Sequence, residues 1–138
     1  MISREGATVA DFSVKKIDEM ETTFGGGLRK ARAELGVTSV GMSILTMPAG
    51  YDRYPDHDHT HDQQEEVYIV LAGSGVLTIE GEEFALDDET MARVGPGTKR
   101  KVVPGPDGVR LLVLGGVPGE AYQPPEWGEL GAGQPEPG

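Results

Sequence analysis

From Val37 onward the apolar residues come in short runs, each closed by Gly, Pro or Asp, and this punctuation leaves no room for a long helix. "VTSVGMSILTM" is β-branched and apolar and stops at the turn signal Pro48 to Gly50. It is followed by "EEVYIVLAG" (Glu65 to Gly73), "GVLTIEG" (Gly75 to Gly81), "EEFALDD", "TMARVGPG", "KRKVV" and "VRLLVLGG" (Val109 to Gly116). Runs of that length separated by turns predict antiparallel strands, so the expected class is all-β, a small antiparallel barrel or sandwich. The 21 glycines and 10 prolines agree with many turns, and 138 residues suffice for one hydrophobic core without disulfides, of which a chain lacking cysteine has none.

The flanks read differently. "FSVKKI" (Phe12 to Ile17) alternates loosely and predicts an outer strand, followed by acidic "DEMETT" and a flexible "FGGG". In "LRKARAELG", Leu28, Ala31 and Leu35 recur at helical spacing with Gly36 as a stop, which fits a short helix, although a strand also fits. We therefore divide the chain into a peripheral N-terminal segment, 1–36, a barrel, 37–122, and a flexible C-terminal tail, 123–138. "GELGAGQPEPG" has no apolar periodicity to hold that tail down.

Charge limits the partners. A net charge of -11 leaves no basic cluster able to neutralise a run of phosphates, so neither nucleic acid nor an anionic membrane is an expected partner. "KRK" at Lys99 to Lys101 is too short for such a patch and suits the guarding of a strand edge. The N-terminal sixteen residues lack the apolar core of a signal peptide and no stretch is long enough to span a bilayer, so a cytoplasmic location is expected. There is no cysteine nucleophile and no G-x-S-x-G elbow, and "FGGG" lacks the strand and helix context of a phosphate loop.

All three histidines fall in "DHDHTHDQQEE", Asp56 to Glu66, among five carboxylates. If Tyr54 to His61 is extended, a period of two turns His57, His59 and His61 to one face, and Glu66 at the start of the next strand can reach them. Two imidazoles and one carboxylate make a facial set that leaves coordination positions open, suited to Fe(II), with Mn, Ni or Zn also compatible. A solvated acidic loop with incidental histidines is the competing reading. Tyr68, Phe84, Met42, Met47 and Met91 are candidates to line a barrel interior, where simple core packing would also place them.

"HTHDQQEEVYIVLAG" resembles the first motif of the cupin family, with two histidines one residue apart, then a glutamate, then a glycine, a spacing met by His59, His61, Glu66 and Gly73. "DDETMARVGPGTKR" resembles the second motif, whose turn is present as Gly95 to Thr98, and "VLAGSGVLTIEGEEFALDDE" looks like the hairpin between them. The resemblance runs from about Val37 to Val117 and implies a double-stranded β-helix jelly roll, a divalent transition metal (Fe, Mn, Ni or Zn), a small-molecule ligand and a homodimer. The family also has a glycine before its first histidine, and Gly50 stands at that distance from His57 rather than His59. The ligand pair is thus either His57 with His59 or His59 with His61. The His-Asp-His segment before "QEEVY" in similar small cupins favours the first, with His61 as an extra ligand.

Where the second motif has its metal-binding histidine, this chain has Arg100. A guanidinium stays protonated and has no lone pair for a metal. Arg100 is therefore expected either to orient an anionic substrate, with Tyr68 beside it, or to pair with Glu66 in a metal-free barrel. The corresponding functions are a dioxygenase-like or isomerase-like enzyme acting on a small polar molecule, or a non-catalytic binder or sensor.

Overall fold

The computed structural model describes residues 9–133, and two long strands organise it. Seven strands run β1 (Thr22–Thr23), β2 (Leu28–Arg29), β3 (Gly41–Met47), β4 (Glu65–Ile79), β5 (Glu82–Leu86), β6 (Met91–Val94) and β7 (Arg100–Gly116), with one helix, α1 (Ala31–Leu35). All pairings are antiparallel, in the order β1-β2-β3-β7-β4-β5, with β6 also on β4. The first half of β4 pairs with β6 and the second half of β7, and its second half pairs with β5 and the first half of β7. Each long strand thus serves two walls of one antiparallel β-barrel.

Four strands expected from the sequence are therefore two. "EEVYIVLAG" and "GVLTIEG" join as β4, and "KRKVV" and "VRLLVLGG" join as β7, because glycine lets the ladder bend instead of ending. Leu71 is an extra residue opposite β7, which shifts the inward phase of β4 from Tyr68 and Val70 to Gly75 and Leu77. On β7 residues 105–108 have no partner on β4, and the inward phase moves from Arg100 and Val102 to Val109, Leu111 and Val113. Both phases supply apolar residues, so one core holds Met47, Tyr68, Val70, Leu77, Leu86, Val94, Val102, Val109, Leu111 and Val113. Full burial of an aliphatic side chain of this size is worth about 1.5–3 kcal/mol.

The N-terminal segment adds strands and packing to the outer face of the sheet. β1 and β2 extend the sheet beyond β3, and Met20 and Ala31 pack on Ile44 across its outer face. β3 is apolar on consecutive residues because both its faces are covered: Leu45 and Met47 turn to the inner core, Met42 and Ile44 to the outer cluster. Helix α1 stops at Gly36, whose φ of 78° is the left-handed cap the sequence suggested, while Leu28 belongs to β2. The expected outer strand at Phe12 to Ile17 is absent. Phe12 and Val14 are exposed and unpaired in the ladder, and a 3-10 turn, Ile17–Glu19, takes Ile17 into the outer cluster instead.

As far as Gly133 the C-terminal segment makes contacts with the rest of the chain. Trp127 meets Phe24 edge-on at 5.1 Å, and Lys30 Nζ, almost fully buried, donates to Glu21 at 2.7 Å and to the Glu129 carbonyl at 2.8 Å. Arg32 reaches Glu129 at 2.8 Å, and the Gly131 amide donates to the Glu21 carboxylate at 2.9 Å. Polar clamps rather than an apolar stripe hold this arm, so its lack of hydrophobic periodicity is no guide. Residues 1–8 of the N-terminal segment and 134–138 of the tail lie outside the described residues. Among the described residues no helix is long and apolar enough to cross a membrane.

The bend itself is testable. Gly73 has a φ of 73°, and a Cβ there would overlap the Gly108 carbonyl oxygen, whereas Gly81, at φ 83° in the Glu80–Gly81 hairpin turn, has open space around it. Gly81→Ala should cost only the left-handed penalty of about 1–2 kcal/mol. Gly73→Ala should cost that and more. Urea titrations of the two variants check the order, and equal midpoints would show that the strands do not need this close approach.

Candidate metal centre

Alternation along the two long strands builds the polar mouth of the barrel. Glu66 shares the inward phase of Tyr68 and Val70, and Arg100 shares that of Val102, so the carboxylate and the guanidinium sit one step above the apolar core. The loop carrying the histidines is pinned against β7. His57 and Arg100 exchange two backbone hydrogen bonds of 2.9 and 2.8 Å, and the His59 amide donates to the Pro96 carbonyl at 2.8 Å. His57 and His59 therefore face Glu66 across the mouth, each offering a donor atom within 4.8 Å of the others.

His61 does not join them. Asp58 accepts from both the amide and the hydroxyl of Thr60, at 3.1 and 2.9 Å, and the chain reverses so that the amides of Asp62 and Gln63 return to the His59 carbonyl. The extended run ends there. The His61 side chain is 72% exposed, stacks on the His59 ring at 5.5 Å and approaches Asp62, forming a separate group of His59, His61 and Asp62. The alternation predicted for three histidines holds for two, and the Asp58–Thr60 turn signal is the overlooked clue.

One carboxylate oxygen carries much of the local bonding. Glu66 Oε1 accepts from the Tyr68 hydroxyl at 2.9 Å and from Arg100 Nη1 at 3.1 Å, and lies 3.2 Å from His59 Nε2. Oε2 takes none of these contacts. Arg100 is fully buried and gives its other terminal nitrogen to the Gly95 carbonyl at 2.6 Å, while its Nε has no hydrogen-bond partner. A guanidinium so enclosed offers no face to an anionic substrate. Tyr68 is equally buried, with Tyr54 3.5 Å behind it, and burial pushes the Tyr54 phenol up to about 12. Both residues, expected from the sequence to touch substrate, are buried here with their polar groups on Glu66. Losing Glu66 would leave the guanidinium with one carbonyl, a defect costing on the order of 3–5 kcal/mol. Of the other lining candidates Met47 is core, Met42 packs against the outer cluster and also borders the cavity beside His59 and Glu66, and Phe84 and Met91 are exposed.

Each histidine facing Glu66 has its Nδ1 committed. That of His57 donates to the Pro55 carbonyl at 2.9 Å, and that of His59 lies 3.0 Å from Asp62 Oδ1. This leaves Nε2 as the nitrogen that either ring would offer a metal, the arrangement found around metal-bound histidines. Asp62 was missed by sequence reasoning, although its spacing from His59 in a turn allows the contact. Two imidazole nitrogens, one carboxylate and open positions fit a divalent transition ion. The Arg100 charge opposes that ion, by a few kcal/mol at an effective dielectric of about 20, but Glu66 stands against it and offsets part of the repulsion.

Without metal, the same contacts govern titration. The Glu66 hydrogen bond raises the His59 pKa above 6.5 against its partial burial, with Asp62 adding to the effect. Burial pushes Glu66 up, but His59, Tyr68 and Arg100 together hold it below 4.5. A raised histidine stabilises the fold fully below its unfolded pKa and loses that contribution as pH rises through its folded value. The stability gap between the metal-free chain and His59→Gln should therefore be widest near pH 6 and shrink toward pH 9, about the range spanning a raised imidazole pKa. Urea titrations across that range check it, and a constant gap would remove the ion pair from the account.

A cavity of about 420 Å³ adjoins His59 and Glu66, and another hollow, of about 470 Å³, beside Val14 and Lys16 lies away from the histidines. The model of the cupin domain family matches residues 43–115, more than half of the chain and inclusive of both histidines and Glu66. A cupin protein from Bacteroides fragilis superposes with a TM-score of 0.64 at 24% identity, covering 83% of this chain and 93% of its own. A protein from Acidithiobacillus ferrooxidans that carries the name of a sugar phosphate isomerase gives 0.55 at 20% identity, covering 70% of this chain and 65% of its own. The Cnp3 cupin domain of Schizosaccharomyces pombe gives 0.51 at 21%, covering 57% and 56%. No curated protein matches the sequence. The likenesses to solved structures are likenesses of fold, and with the family match and the two-walled barrel they lead to one conclusion: the chain belongs to the cupin family.

Proposed function

We propose that this cupin holds one divalent transition metal, Fe, Mn, Ni or Zn, through His57, His59 and Glu66, and uses it on a small polar organic molecule in dioxygenase-like or isomerase-like chemistry. The observation that carries the reading is the convergence of these three donor groups within 4.8 Å, with both imidazole Nδ1 atoms already engaged. When bound, the metal supplies Lewis-acid polarisation of ligand oxygens. The chain supplies the rest. Pro55 and Asp62 fix the imidazole orientations, and Tyr68 and Arg100 hold Glu66 on Oε1 so that Oε2 remains available.

The Acidithiobacillus relative's name concerns a phosphorylated sugar. In this chain Arg100 is enclosed, so a phosphate would lack the cation that the sequence suggested for it. A second reading draws on the same ion pair: Arg100 on Glu66, with His59 beside them, is also a self-sufficient metal-free network, suited to a small-molecule binder or sensor. A homodimer and a cytoplasmic location complete the proposal by analogy with small cupins.

Calorimetry with Zn(II) on untagged protein separates the readings. Removing a ligand, by His57→Ala or His59→Ala, should weaken binding by more than about 100-fold, and Asp62→Ala, which removes the partner of the His59 ring, by about 10–100-fold. His61→Ala should leave the affinity nearly unchanged. A loss in His61→Ala with none in His57→Ala would move the ion to the outer group, and no Zn(II) uptake by the unaltered chain would favour the metal-free reading.

A further inference from the structure

The cavity beside His59 and Glu66 has a second wall that comes from outside the barrel. Tyr122, Gln123 and Trp127 of the C-terminal arm face it, opposite Met42 and Val113 of the sheet. The arm is placed there by its own clamp, with Trp127 on Phe24, Lys30 and Arg32 on Glu129, and Glu21 on the Gly131 amide. Tyr122 also packs tightly on the barrel, where a Cβ at Gly41 would come within 2.8 Å of its ring.

The described lining contains Asp62 and Glu66 together with His59 and His61, but no lysine or arginine. Both carboxylates are already partnered, Glu66 by Arg100 and His59, and Asp62 by His59 and His61. Arg32 lies over the Tyr122 ring at 5.9 Å and pairs with Glu129, and Arg100 is enclosed against Glu66. An anionic group that did not reach the metal would find no lysine or arginine free to pair with it. Aromatic and apolar surfaces accept a ring, and the carboxamides of Gln64 and Gln123 can hydrogen-bond neutral groups.

We infer that the C-terminal arm is the specificity wall of the pocket, and that the pocket takes a small ring-bearing molecule with adjacent oxygen donors and no anionic group beyond those that bind the metal. This rests on the metal reading above. Tyr122 and Trp127 set which ring fits, and a lining with no lysine or arginine disfavours carboxylated or phosphorylated versions of it.

Two probes share a chelating ring and differ by one carboxylate: catechol and 3,4-dihydroxybenzoate. Zn(II) uptake by the untagged full chain is measured first, and each probe is then titrated into the Zn(II)-loaded protein by calorimetry, with fluorescence of Trp127, the single tryptophan, as a second readout. Catechol should bind roughly tenfold more tightly than 3,4-dihydroxybenzoate, a difference of about 1.4 kcal/mol. Tyr122→Ala and Trp127→Ala should weaken catechol by roughly fivefold while Zn(II) affinity stays the same, and Trp127→Phe should restore most of the loss. Equal affinity for the two probes with Zn(II) uptake intact overturns this inference alone, as do alanine variants that bind both Zn(II) and catechol like the unaltered chain. Failure to take up Zn(II) overturns the metal reading and this inference with it. The probe pair in the unaltered chain decides the matter even where an alanine variant fails to fold.

Discussion

Glu66 stands where three kinds of donor meet, a phenol, a guanidinium and an imidazole, all directed at one carboxylate oxygen in a mouth that is largely shielded from water. Such a group cannot be removed without orphaning its partners, and Arg100 would be the worst affected because it is enclosed on every side. The constraint is useful as well as costly. With Oε1 taken, Oε2 is the oxygen left for the proposed ion, which a carboxylate held in one orientation would meet as a preorganised ligand. Arg100, where the resemblance to the second motif would put a histidine, thus contacts Glu66 and would support it in the proposed site.

The barrel places these groups through strand phase. Tyr68 and Val70 point inward before the bulge of β4, and Leu77 after it, while β7 carries Arg100 and Val102 inward before its own excursion and Leu111 after it. Without the phase change, one half of each strand would turn its apolar side to solvent. Gly73 and Gly108 permit the close backbone approach at that change. A Cβ on Gly108 would come within 2.7 Å of the Met47 carbonyl oxygen, so no side chain fits there. Stability and site geometry therefore share one cause.

Much of this is legible in the sequence, for reasons that can be named. The turn-bounded apolar runs announce the strands, Gly36 marks the helix end, and the His-x-His spacing with Glu66 indicates the donors. What the sequence hides is non-local or competes with a pattern. The fusion of runs into β4 and β7 depends on glycines that read as stops in isolation. His61 continues an alternation that the Asp58–Thr60 turn breaks. Arg100 and Tyr68 look like ligand-facing residues because their burial cannot be read from position alone. The arm after residue 122 reads as a tail because its anchors, Lys30, Arg32 and Glu21, lie about a hundred residues away in the chain.

The central claim is that His57, His59 and Glu66 form one metal centre with His61 outside it. Anomalous diffraction at the metal edge from crystals of the metal-loaded chain addresses it most directly. The account predicts one peak bonded to the Nε2 atoms of His57 and His59 and to the Glu66 carboxylate, at about 2.0–2.2 Å as for imidazole and carboxylate ligands of zinc. A peak held by His59, His61 and Asp62, with the barrel mouth unchanged around Arg100 and Glu66, would contradict it.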